Sequence, residues 1–313
     1  MKELNYDLVI LGGGPAGLSA AIYAARGTLK TAIVDTGIIG GQLNNYLEIE
    51  NYPGMAATQA SELIDKFEQH VDMFGADKYI LQEIVKVDLC SPIKTIETLD
   101  YCFKSKTVII ATGAEPQKMD VPGEIEFSGR GVSYCAVCDG AFFKNKDICV
   151  VGGGNAAVEE AVYLTKFASS VTIIHRRDSL RANKLYQEQA LNNSKIKFIF
   201  DSIVTEVKGN NKVEFVIVKN VKTGEIKDDQ TDGVFPYIGY TANSELFREQ
   251  IQLEANGFII TDANLATNTE GVFAAGDVCV KSLRQVITSA SDGAIAATSA
   301  IKYLETVEAA MGV

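Results

Sequence analysis

Two glycine turns, each between an apolar strand pattern and a small-residue helix pattern, constrain the fold of this chain more than any other feature. The first is Gly12-x-Gly14-x-x-Gly17, after the apolar run Tyr6 to Leu11. The second is Gly152-x-Gly154-x-x-Ala157, after Asp147 to Val151. Strand, glycine turn and helix in this order are typical of a dinucleotide-binding unit. The sequence therefore predicts an α/β fold with two Rossmann-like dinucleotide-binding domains.

The first turn has the three small positions that a bound pyrophosphate requires. Gly12 permits the tight turn, Gly14 lets the backbone approach the phosphates, and Gly17 lets the helix pack closely on the strand. The amides at the start of that helix would face the phosphates. The next strand, Lys30 to Val34, ends at Asp35. Asp35 is either an acceptor for a ribose hydroxyl or a solvated loop acid.

The second turn is followed by a basic cluster where the first has an acid. The strand pattern Ser170 to Ile174 leads into His175-Arg176-Arg177, and Arg181 follows shortly after. An acid would repel a ribose 2′-phosphate, whereas arginine binds it bidentately, so this site is predicted to prefer NADPH over NADH. The alternative is a solvated basic turn. The predicted NADPH contacts are Gly152, Gly154, Asn155, Ala156, Ala157, His175, Arg176, Arg177 and Arg181.

A pair of cysteines, Cys135-Ala-Val-Cys138, lies just upstream of the second turn and is followed by Asp139. Such spacing is found in redox disulfides and in half of a zinc site. No second pair at ligand spacing occurs, since the other cysteines, at 90, 102, 149 and 279, are single. We therefore predict a redox pair and no metal. Asp139 is a candidate acid and base for the thiols, or the N-terminal cap of a following helix.

The four single cysteines are predicted to have no redox role. Cys149 lies inside a strand pattern and is expected to be a small buried apolar residue.

A nicotinamide does not reduce a cystine efficiently by itself, so the first turn is predicted to bind FAD. Two segments near the end of the chain support this. Gly276-Asp277 follows a short strand pattern and could present a carboxylate to ribityl hydroxyls. Arg284-Gln285-Val286 then opens a helix, Val286 to Leu304, whose first amides could stabilise negative charge on a reduced flavin.

The order of these segments predicts that the second nucleotide domain is inserted into the first. The chain would cross between the domains near residues 113 to 117 and 241 to 245. The FAD-binding domain then comprises residues 1–114 and 244–313, and the NADPH-binding domain comprises residues 115–243. The inserted domain carries the cysteine pair.

Charge and hydropathy exclude some classes of function. A net charge of −11 disfavours binding to nucleic acid and to anionic membrane surfaces. Apolar runs have the length of strands and end in glycine turns, so neither a membrane span nor a signal peptide is predicted. Six cysteines and no predicted export signal make a reducing cytoplasm the expected location, and there a Cys-x-x-Cys is more often catalytic than structural.

The chain resembles the bacterial low-molecular-weight thioredoxin reductases, class II pyridine nucleotide-disulfide oxidoreductases, along nearly its whole length. The matching motifs are Gly12-Gly-Gly-Pro-Ala-Gly17, Gly40-Gly41-Gln42-Leu43, Glu50-Asn51-Tyr52-Pro53-Gly54, Cys135 to Asp139, Gly152 to Ala161, His175 to Ala182 and Gly271 to Asp277. The resemblance implies FAD contacts at Gly12, Gly14, Gly17, Gly41, Gln42, Asn51, Asp277, Arg284 and Gln285. Their neighbours complete the predicted FAD site: Pro15, Ala16, Asp35, Gly40, Leu43, Ala111, Thr112, Gly113, Gly276 and Val286.

The resemblance also implies a reaction. NADPH would reduce FAD, FAD would open the Cys135–Cys138 disulfide, and the dithiol would reduce thioredoxin, with Cys135 attacking the partner and Cys138 on the flavin side. The implied enzyme is a cytoplasmic homodimer. Because the nicotinamide site and the cysteine pair share one domain and must both reach one flavin, the inserted domain is predicted to rotate between half-reactions.

Three residues depart from the family pattern. Val137 stands where Thr is also common, Leu180 where Phe is frequent, and Ala242 where Pro usually precedes Asn243. None removes a group needed for electron transfer, although Ala242 could change the hinge. Ferredoxin-dependent relatives lack the second glycine turn, which is intact here.

Other functions remain open at this point. The chain could reduce another small disulfide protein with NADPH, or it could be an FAD-dependent dithiol oxidase, which would not need the arginines. A flavin-bound protein without catalysis is the third alternative. Arg130, just before the cysteine pair, is either a contact for an acidic partner or a solvated loop residue.

Overall fold

The computed structural model describes residues 1–46 and 48–311. Residues 47, 312 and 313 of the predicted FAD-binding domain lie outside the described residues. The chain divides into two compact units, one formed by residues 1–115 with 241–313 and the other by residues 116–240.

The elements follow each other in alternating runs of strands and helices. Up to the cysteine pair they are β1 (Lys2–Leu11), α1 (Pro15–Arg26), β2 (Thr31–Val34), β3 (Glu48–Ile49), β4 (Thr58–Gln59), α2 (Ala60–Phe74), β5 (Asp77–Tyr79), β6 (Ile84–Asp88), β7 (Lys94–Thr98), β8 (Tyr101–Ile110) and β9 (Ala114–Pro116). From the pair onward they are α3 (Ala136–Asp139), β10 (Asp147–Val151), α4 (Asn155–Leu164), β11 (Ser170–Ile174), α5 (Lys184–Leu191), β12 (Ile196–Ile199), β13 (Ser202–Gly209), β14 (Val213–Asn220), β15 (Ile226–Gln230), β16 (Gly233–Pro236), β17 (Tyr240–Ala242), β18 (Val272–Ala274) and α6 (Val286–Met311). Short 3-10 helices cover Gly41–Asn45, Gly140–Phe143, Glu245–Phe247 and Gly276–Val278.

The first unit is built on a seven-stranded sheet with the order β5-β2-β1-β8-β7-β6, and β18 also pairs with β8. Strands β5, β2, β1, β8 and β18 run parallel to one another, whereas β7 pairs antiparallel with β8 and with β6. Leu11 pairs with both Val34 and Ile110. Three strands therefore end at one edge, and the residues that follow them lie close together there.

Helices α1 and α6 pack against each other through small residues. A Cβ at Gly293 would lie 2.0 Å from the carbonyl oxygen of Ala16, so only glycine allows this approach. The Ser19 hydroxyl donates a hydrogen bond to the Ala290 carbonyl at 2.7 Å. Close packing of α6 on α1 holds the start of α6 near the first glycine turn.

The second unit contains a parallel sheet with the order β12-β11-β10-β16 and an antiparallel sheet β13-β14-β15. Val151 at the end of β10 pairs with Ile174 of β11 and Pro236 of β16. Gly152, His175 and Tyr237 consequently follow three neighbouring strands at one edge. This arrangement repeats that of the first unit.

The α/β fold class predicted from the sequence is confirmed, and several boundaries agree to the residue. Strands β10 and β11 have the predicted limits, and a hairpin turn joins β14 to β15. Strand β1 is longer than its apolar run because Lys2 to Tyr6 continue the pairing with β8. Within the described residues, no helix has the length and apolar character required to span a membrane.

Candidate active site

The first glycine turn is held in a conformation that requires glycine at its ends. Gly12 has a φ of +111°, and a Cβ there would lie 2.3 Å from the Ala111 carbonyl oxygen. A Cβ at Gly17 would lie 1.8 Å from the Gly12 carbonyl oxygen. The turn therefore sits directly against the end of β8 and the first turn of α1, as the fingerprint predicts.

Asp35 fastens this turn to the end of β2. One carboxylate oxygen accepts a hydrogen bond from the Gly13 amide, and the other accepts one from the Gly37 amide at 2.6 Å. These contacts show that Asp35 is not a freely solvated loop acid. Because each carboxylate oxygen has a second lone pair, ribose binding by Asp35 stays a prediction.

A cavity of about 660 Å³ opens beside the turn, inside the first unit. Many of the predicted FAD residues line it: Gly12, Gly14, Pro15, Ala16, Asp35, Gly41, Gln42, Ala111, Thr112, Gly113 and Asp277. The other predicted ones are not part of this lining as the structure describes it: Gly17, Gly40, Leu43, Asn51, Gly276, Arg284, Gln285 and Val286. Lining residues that the sequence did not suggest include Thr36, Asn45, Asn243 and Ser289.

Asp277 is held at the cavity wall by the first turn of α6. The Ser289 hydroxyl donates to its carboxylate at 3.1 Å. Burial raises the pKa of the Asp277 carboxyl, while Lys281 and the Ser289 hydrogen bond oppose the increase. Nearby, Lys281 forms a 2.5 Å ion pair with Asp292, which also accepts the Gly276 amide at 3.0 Å. Hydrogen bonds from Ser289 and to Asp292 therefore hold the Gly276-Asp277 turn in place.

The side chains of the motif residues Arg284 and Gln285 have different partners. The Arg284 guanidinium stacks over the Phe258 ring at 4.2 Å and lies within 3.4 Å of the carbonyl oxygens of Asp277 and Lys281. It therefore braces the loop that carries Asp277. The Gln285 side chain instead accepts a hydrogen bond from Asn51.

Other protein atoms pack closely against Gly152 and Gly153 of the second glycine turn, whereas Gly154 faces open space. A Cβ at Gly152, whose φ is +148°, would lie 2.4 Å from the Tyr237 carbonyl oxygen. At Gly153 it would lie 2.5 Å from the His175 ring, whereas at Gly154 it would meet nothing within 4 Å. The protein itself therefore leaves space at Gly154, where a bound phosphate would approach.

The arginine loop is tied to this turn by backbone hydrogen bonds. The Gly153 carbonyl accepts the amides of Arg181 at 2.7 Å and Ala182 at 3.2 Å. The Asn155 side-chain oxygen accepts the amide of Asn183 at 2.8 Å. Asn155, predicted as a nucleotide contact, thus also fixes the position of the loop.

The edge of the second parallel sheet forms a cavity of about 510 Å³ lined by Gly152, Gly153, His175, Arg176, Arg181 and Tyr237, among others. None of the ion pairs within the described residues involves the three predicted arginines, and Asp178 beside them is paired with Lys222 at 3.2 Å. The positive charge is therefore available to an anion. Of the predicted NADPH residues, those that lie outside the described lining are Gly154, Asn155, Ala156, Ala157 and Arg177.

His175 lies behind the glycine turn and is 4% exposed. Burial lowers the pKa of its imidazole, and Arg181, Arg177 and Arg176 lower it further. Its Nε2 has no hydrogen-bond partner among the described residues. A neutral ring at this place supports the turn by packing on Gly153.

Cys135 and Cys138 form a disulfide with a Cα–Cα distance of 5.3 Å. Cys135 is the N-cap of α3, and its Sγ accepts a hydrogen bond from the Cys138 amide at 3.1 Å. Both cysteines are half-buried. The amide would stabilise negative charge on Cys135 once the disulfide opens.

The first backbone amide of α3 donates its hydrogen bond to a residue outside the helix, directly after β16. The Ala136 amide donates to the Tyr237 hydroxyl at 2.6 Å, and Ala136 is almost fully buried. Tyr237 follows β16 and lines the nucleotide cavity of the same unit. Tyr237 therefore connects the nucleotide turn (residues 152–157), through its backbone carbonyl, with the redox turn (residues 135–139), through its hydroxyl. The sequence analysis did not identify it, although a residue that directly follows a parallel strand is a signal for a site.

Asp139 ends α3 and accepts a hydrogen bond from the Ser133 hydroxyl at 2.6 Å. Asp139 occupies the N-cap position of the 3-10 helix that follows, as the capping alternative expects, but its side chain forms no capping hydrogen bond there. Burial raises the pKa of the Asp139 carboxyl, and the Ser133 hydrogen bond partly offsets that increase. A carboxyl of this kind holds a proton more readily than an exposed one does.

The four single cysteines lie in different environments. Cys149 and Cys279 are buried, which raises the pKa of each thiol to about 12. Cys90 is exposed and Cys102 is half-buried. The prediction that Cys149 is a buried apolar residue within a strand is confirmed.

Arg130 lies at the surface and is bound to its own loop. Its guanidinium donates to the Glu126 carbonyl at 2.5 Å and lies over the Phe127 ring at 5.6 Å. A contact between Arg130 and a partner stays a prediction.

The chain is similar to known proteins along nearly its full length. The family model described as pyridine nucleotide-disulphide oxidoreductase matches residues 6–293. The thioredoxin reductase of Peptoclostridium acidaminophilum is 50% identical over 310 residues, covering 97% of this chain and 98% of that protein. That of Bacillus subtilis (strain 168) is 46% identical over 308 residues, covering 98% and 97%. The crystal structure of thioredoxin reductase from Streptococcus pyogenes MGAS5005 is 46% identical, has a TM-score of 0.90 and covers 96% of this chain and 99% of its own.

Proposed function

The chain belongs to the pyridine nucleotide-disulphide oxidoreductase family, and from this membership we propose how it acts as a thioredoxin-disulfide reductase. It is an NADPH-dependent flavoprotein oxidoreductase with a redox pair, Cys135–Cys138. The observation that carries the proposal is the position of this disulfide. It lies in the same unit as a second glycine turn and three arginines without acidic partners in the described structure.

Both cofactor sites fit the groups that the family uses. The first cavity is lined by the turn residues Gly12 and Gly14, with Asp277 at its wall. The second cavity combines the open position at Gly154 with the guanidiniums of Arg176 and Arg181. When bound, NADPH supplies an electron pair as hydride and FAD transfers that pair to a disulfide.

The cysteine pair connects this electron pair to a protein substrate. Opening the Cys135–Cys138 bond consumes two electrons and two protons. Cys135, whose Sγ accepts the Cys138 amide, then attacks the disulfide of thioredoxin and forms a mixed disulfide. Cys138 attacks Cys135 in turn, which releases reduced thioredoxin and restores the original disulfide.

Asp139 acts as the acid and base of this exchange. Its carboxyl is on the same short helix as Cys138 and has a pKa raised by burial. It can therefore take the proton of the Cys138 thiol and deliver it to the thiolate that leaves thioredoxin.

The arginine loop selects NADPH over NADH. Hydrogen bonds from Arg181 and Ala182 to the Gly153 carbonyl set the position of the loop relative to the glycine turn. Arg176 and Arg181 then bind the 2′-phosphate, and Arg177 adds positive charge. The residue-by-residue assignment of both cofactor sites is part of this proposal.

Three further points rest on the family resemblance. Thioredoxin is the protein substrate, as the names of the relatives state for those proteins. The enzyme assembles as a homodimer and works in the cytoplasm, where a dithiol stays reduced. The assignment of residues 1–114 with 244–313 to FAD and of 115–243 to NADPH stays a prediction, as does rotation of the inserted domain.

The proposed function is tested by the oxidation of NADPH in the presence of oxidised thioredoxin. Turnover should require thioredoxin and should be lost in Cys138→Ser, while bound flavin is retained. Oxidation that proceeds with oxygen alone, or only with another small disulfide protein, would reassign the enzyme to one of the alternative classes.

A further inference from the structure

Ser133 lies two positions before the first redox cysteine and is held by the sheet of its own unit. Its amide donates to the Val234 carbonyl at 3.0 Å, and Val234 belongs to β16, which pairs with β10. The residue is 6% exposed. Its hydroxyl therefore has a fixed position beneath the redox turn, although the segment around it has no regular secondary structure.

The Ser133 hydroxyl lies between the acid and the attacking cysteine. Its Oγ donates to Asp139 Oδ2 at 2.6 Å and accepts the Cys135 amide at 3.2 Å. The Cys135 carbonyl oxygen is 3.4 Å away from the same Oγ. A hydroxyl has one proton and two lone pairs, so the proton goes to either Asp139 or the Cys135 carbonyl, one lone pair accepts the Cys135 amide, and the second lone pair stays open.

This arrangement suits both protonation states of Asp139. When the carboxyl is ionised, the Ser133 proton points to it. When the carboxyl is protonated, its O–H can donate to Ser133 Oγ, and the Ser133 proton can turn to the Cys135 carbonyl. In neither state does the buried carboxyl lose its hydrogen-bond partner, which would be costly.

We propose that Ser133 is a positioning residue for Asp139. It holds the Asp139 carboxyl in place and remains its hydrogen-bond partner while the carboxyl gains and releases a proton during reduction of the protein disulfide. This inference rests on the proposed function. During exchange, the partner's S–S bond breaks as a Cys135–partner bond forms, and that bond breaks as the Cys135–Cys138 bond forms again. The partner gains two electrons and two protons: the Cys138 proton passes through Asp139, and the other is the proton that the Cys135 thiol gives up when it attacks.

The surroundings of Asp139 leave Ser133 as its principal polar neighbour. The pKa of Asp139 responds to burial and to Ser133 among the described residues. Helix α4, which packs against α3, carries Glu159 and Glu160, and Lys144 follows the adjacent 3-10 helix. Tyr237 reaches the start of α3, and Cys135 and Cys138 are joined as a disulfide. Within the described residues, neither glutamate nor Lys144 contributes to the pKa shift of Asp139, which burial raises and the Ser133 hydrogen bond opposes.

The test compares pH profiles of the thioredoxin half-reaction for wild type, Ser133→Ala and Ser133→Thr. Removing the hydroxyl takes a donor from the ionised carboxylate, so the Asp139-dependent limb in Ser133→Ala should move up by about one pH unit. Ser133→Thr keeps the hydroxyl and should keep the wild-type limb. The matched control is Ser170→Ala, which removes an equally short Ser–Asp hydrogen bond to Asp147, at 2.7 Å, and should shift nothing.

Two further measurements separate positioning from folding. Flavin content and the rate of flavin reduction by NADPH report on the fold without requiring thiol exchange. In Asp139→Asn the effect of Ser133→Ala should disappear, because Ser133 acts through Asp139. Superimposable pH profiles of Ser133→Ala and wild type, or fully additive losses in the double variant, would overturn the inference. Absence of thioredoxin reduction by the wild type would instead overturn the proposed function.

Discussion

Asn51 and Gln285 are 234 positions apart in the chain, and Asn51 Nδ2 donates to Gln285 Oε1 at 2.9 Å. Each residue belongs to a short motif that has no obvious role by itself. The hydrogen bond places both side-chain amides at the start of α6, since Gln285 directly precedes Val286. The two motifs therefore meet through the fold, and their joint contact with FAD stays a prediction.

Arg181→Ala should reduce selectivity for NADPH. Loss of a charged hydrogen bond to the 2′-phosphate should lower kcat/KM for NADPH by about 10- to 100-fold and leave that for NADH nearly unchanged. Steady-state kinetics with both nucleotides measure this. The control is Arg248→Ala, in which the arginine lost is an exposed partner of Glu245. Equal losses with NADPH and NADH would contradict the role given to Arg181.

Gly154→Ala should separate cofactor binding from folding. The backbone at Gly154 is extended, with a φ of −86° and a ψ of −178°, and a Cβ there meets no protein atom within 4 Å. The variant should therefore keep the wild-type Tm and its flavin. Its methyl group should occupy the space of the pyrophosphate and weaken NADPH binding at least tenfold, as equilibrium titration would show. Unchanged NADPH affinity would place the nucleotide elsewhere.

Tyr237→Phe should affect the redox turn more than the nucleotide site. The Ala136 amide would lose its acceptor in a buried place, and the free energy of unfolding should fall by about 1–3 kcal/mol. Chemical denaturation measures the loss, and thioredoxin reduction should slow while the Kd for NADP⁺ changes little. Tyr163→Phe, on α4 of the same unit, is the control. A variant as stable as wild type would show that the hydrogen bond contributes nothing.

Asp139→Asn should increase stability at neutral pH. Burial raises the folded-state pKa of this carboxyl, so folding favours the protonated form. Its stabilising contribution is complete below the unfolded-state pKa and is lost as the pH rises through the folded-state pKa. The Tm of the variant should exceed that of wild type at neutral pH and approach it in acid. A difference in Tm that does not depend on pH would contradict this interpretation.

The parts of the fold that depend on local sequence could be predicted. Gly12 and Gly152 adopt backbone angles that few other residues allow, and the apolar runs before them can only be buried strands. The residues after each strand then meet at one edge because the strands are parallel. The basic cluster at the second edge could be predicted for the same reason.

Hydrogen bonds between distant segments could not be predicted. Ser133 and Tyr237 contact the redox turn because of how β16 lies beside β10, and a serine or tyrosine in a loop has many possible partners. Arg284 is another example, since its guanidinium stacks on Phe258, which lies outside every motif. Asn51 and Gln285 could be assigned to one site only through the resemblance to a family.

Anaerobic titration of the flavin-loaded enzyme tests the central claim most directly. NADPH, and not NADH, should bleach the flavin absorbance, and oxidised thioredoxin should restore it in wild type but not in Cys135→Ser. That result would establish the electron path from NADPH through FAD and the Cys135–Cys138 pair to thioredoxin. Flavin that stays oxidised with NADPH, or reduced flavin that thioredoxin fails to reoxidise, would contradict the assignment.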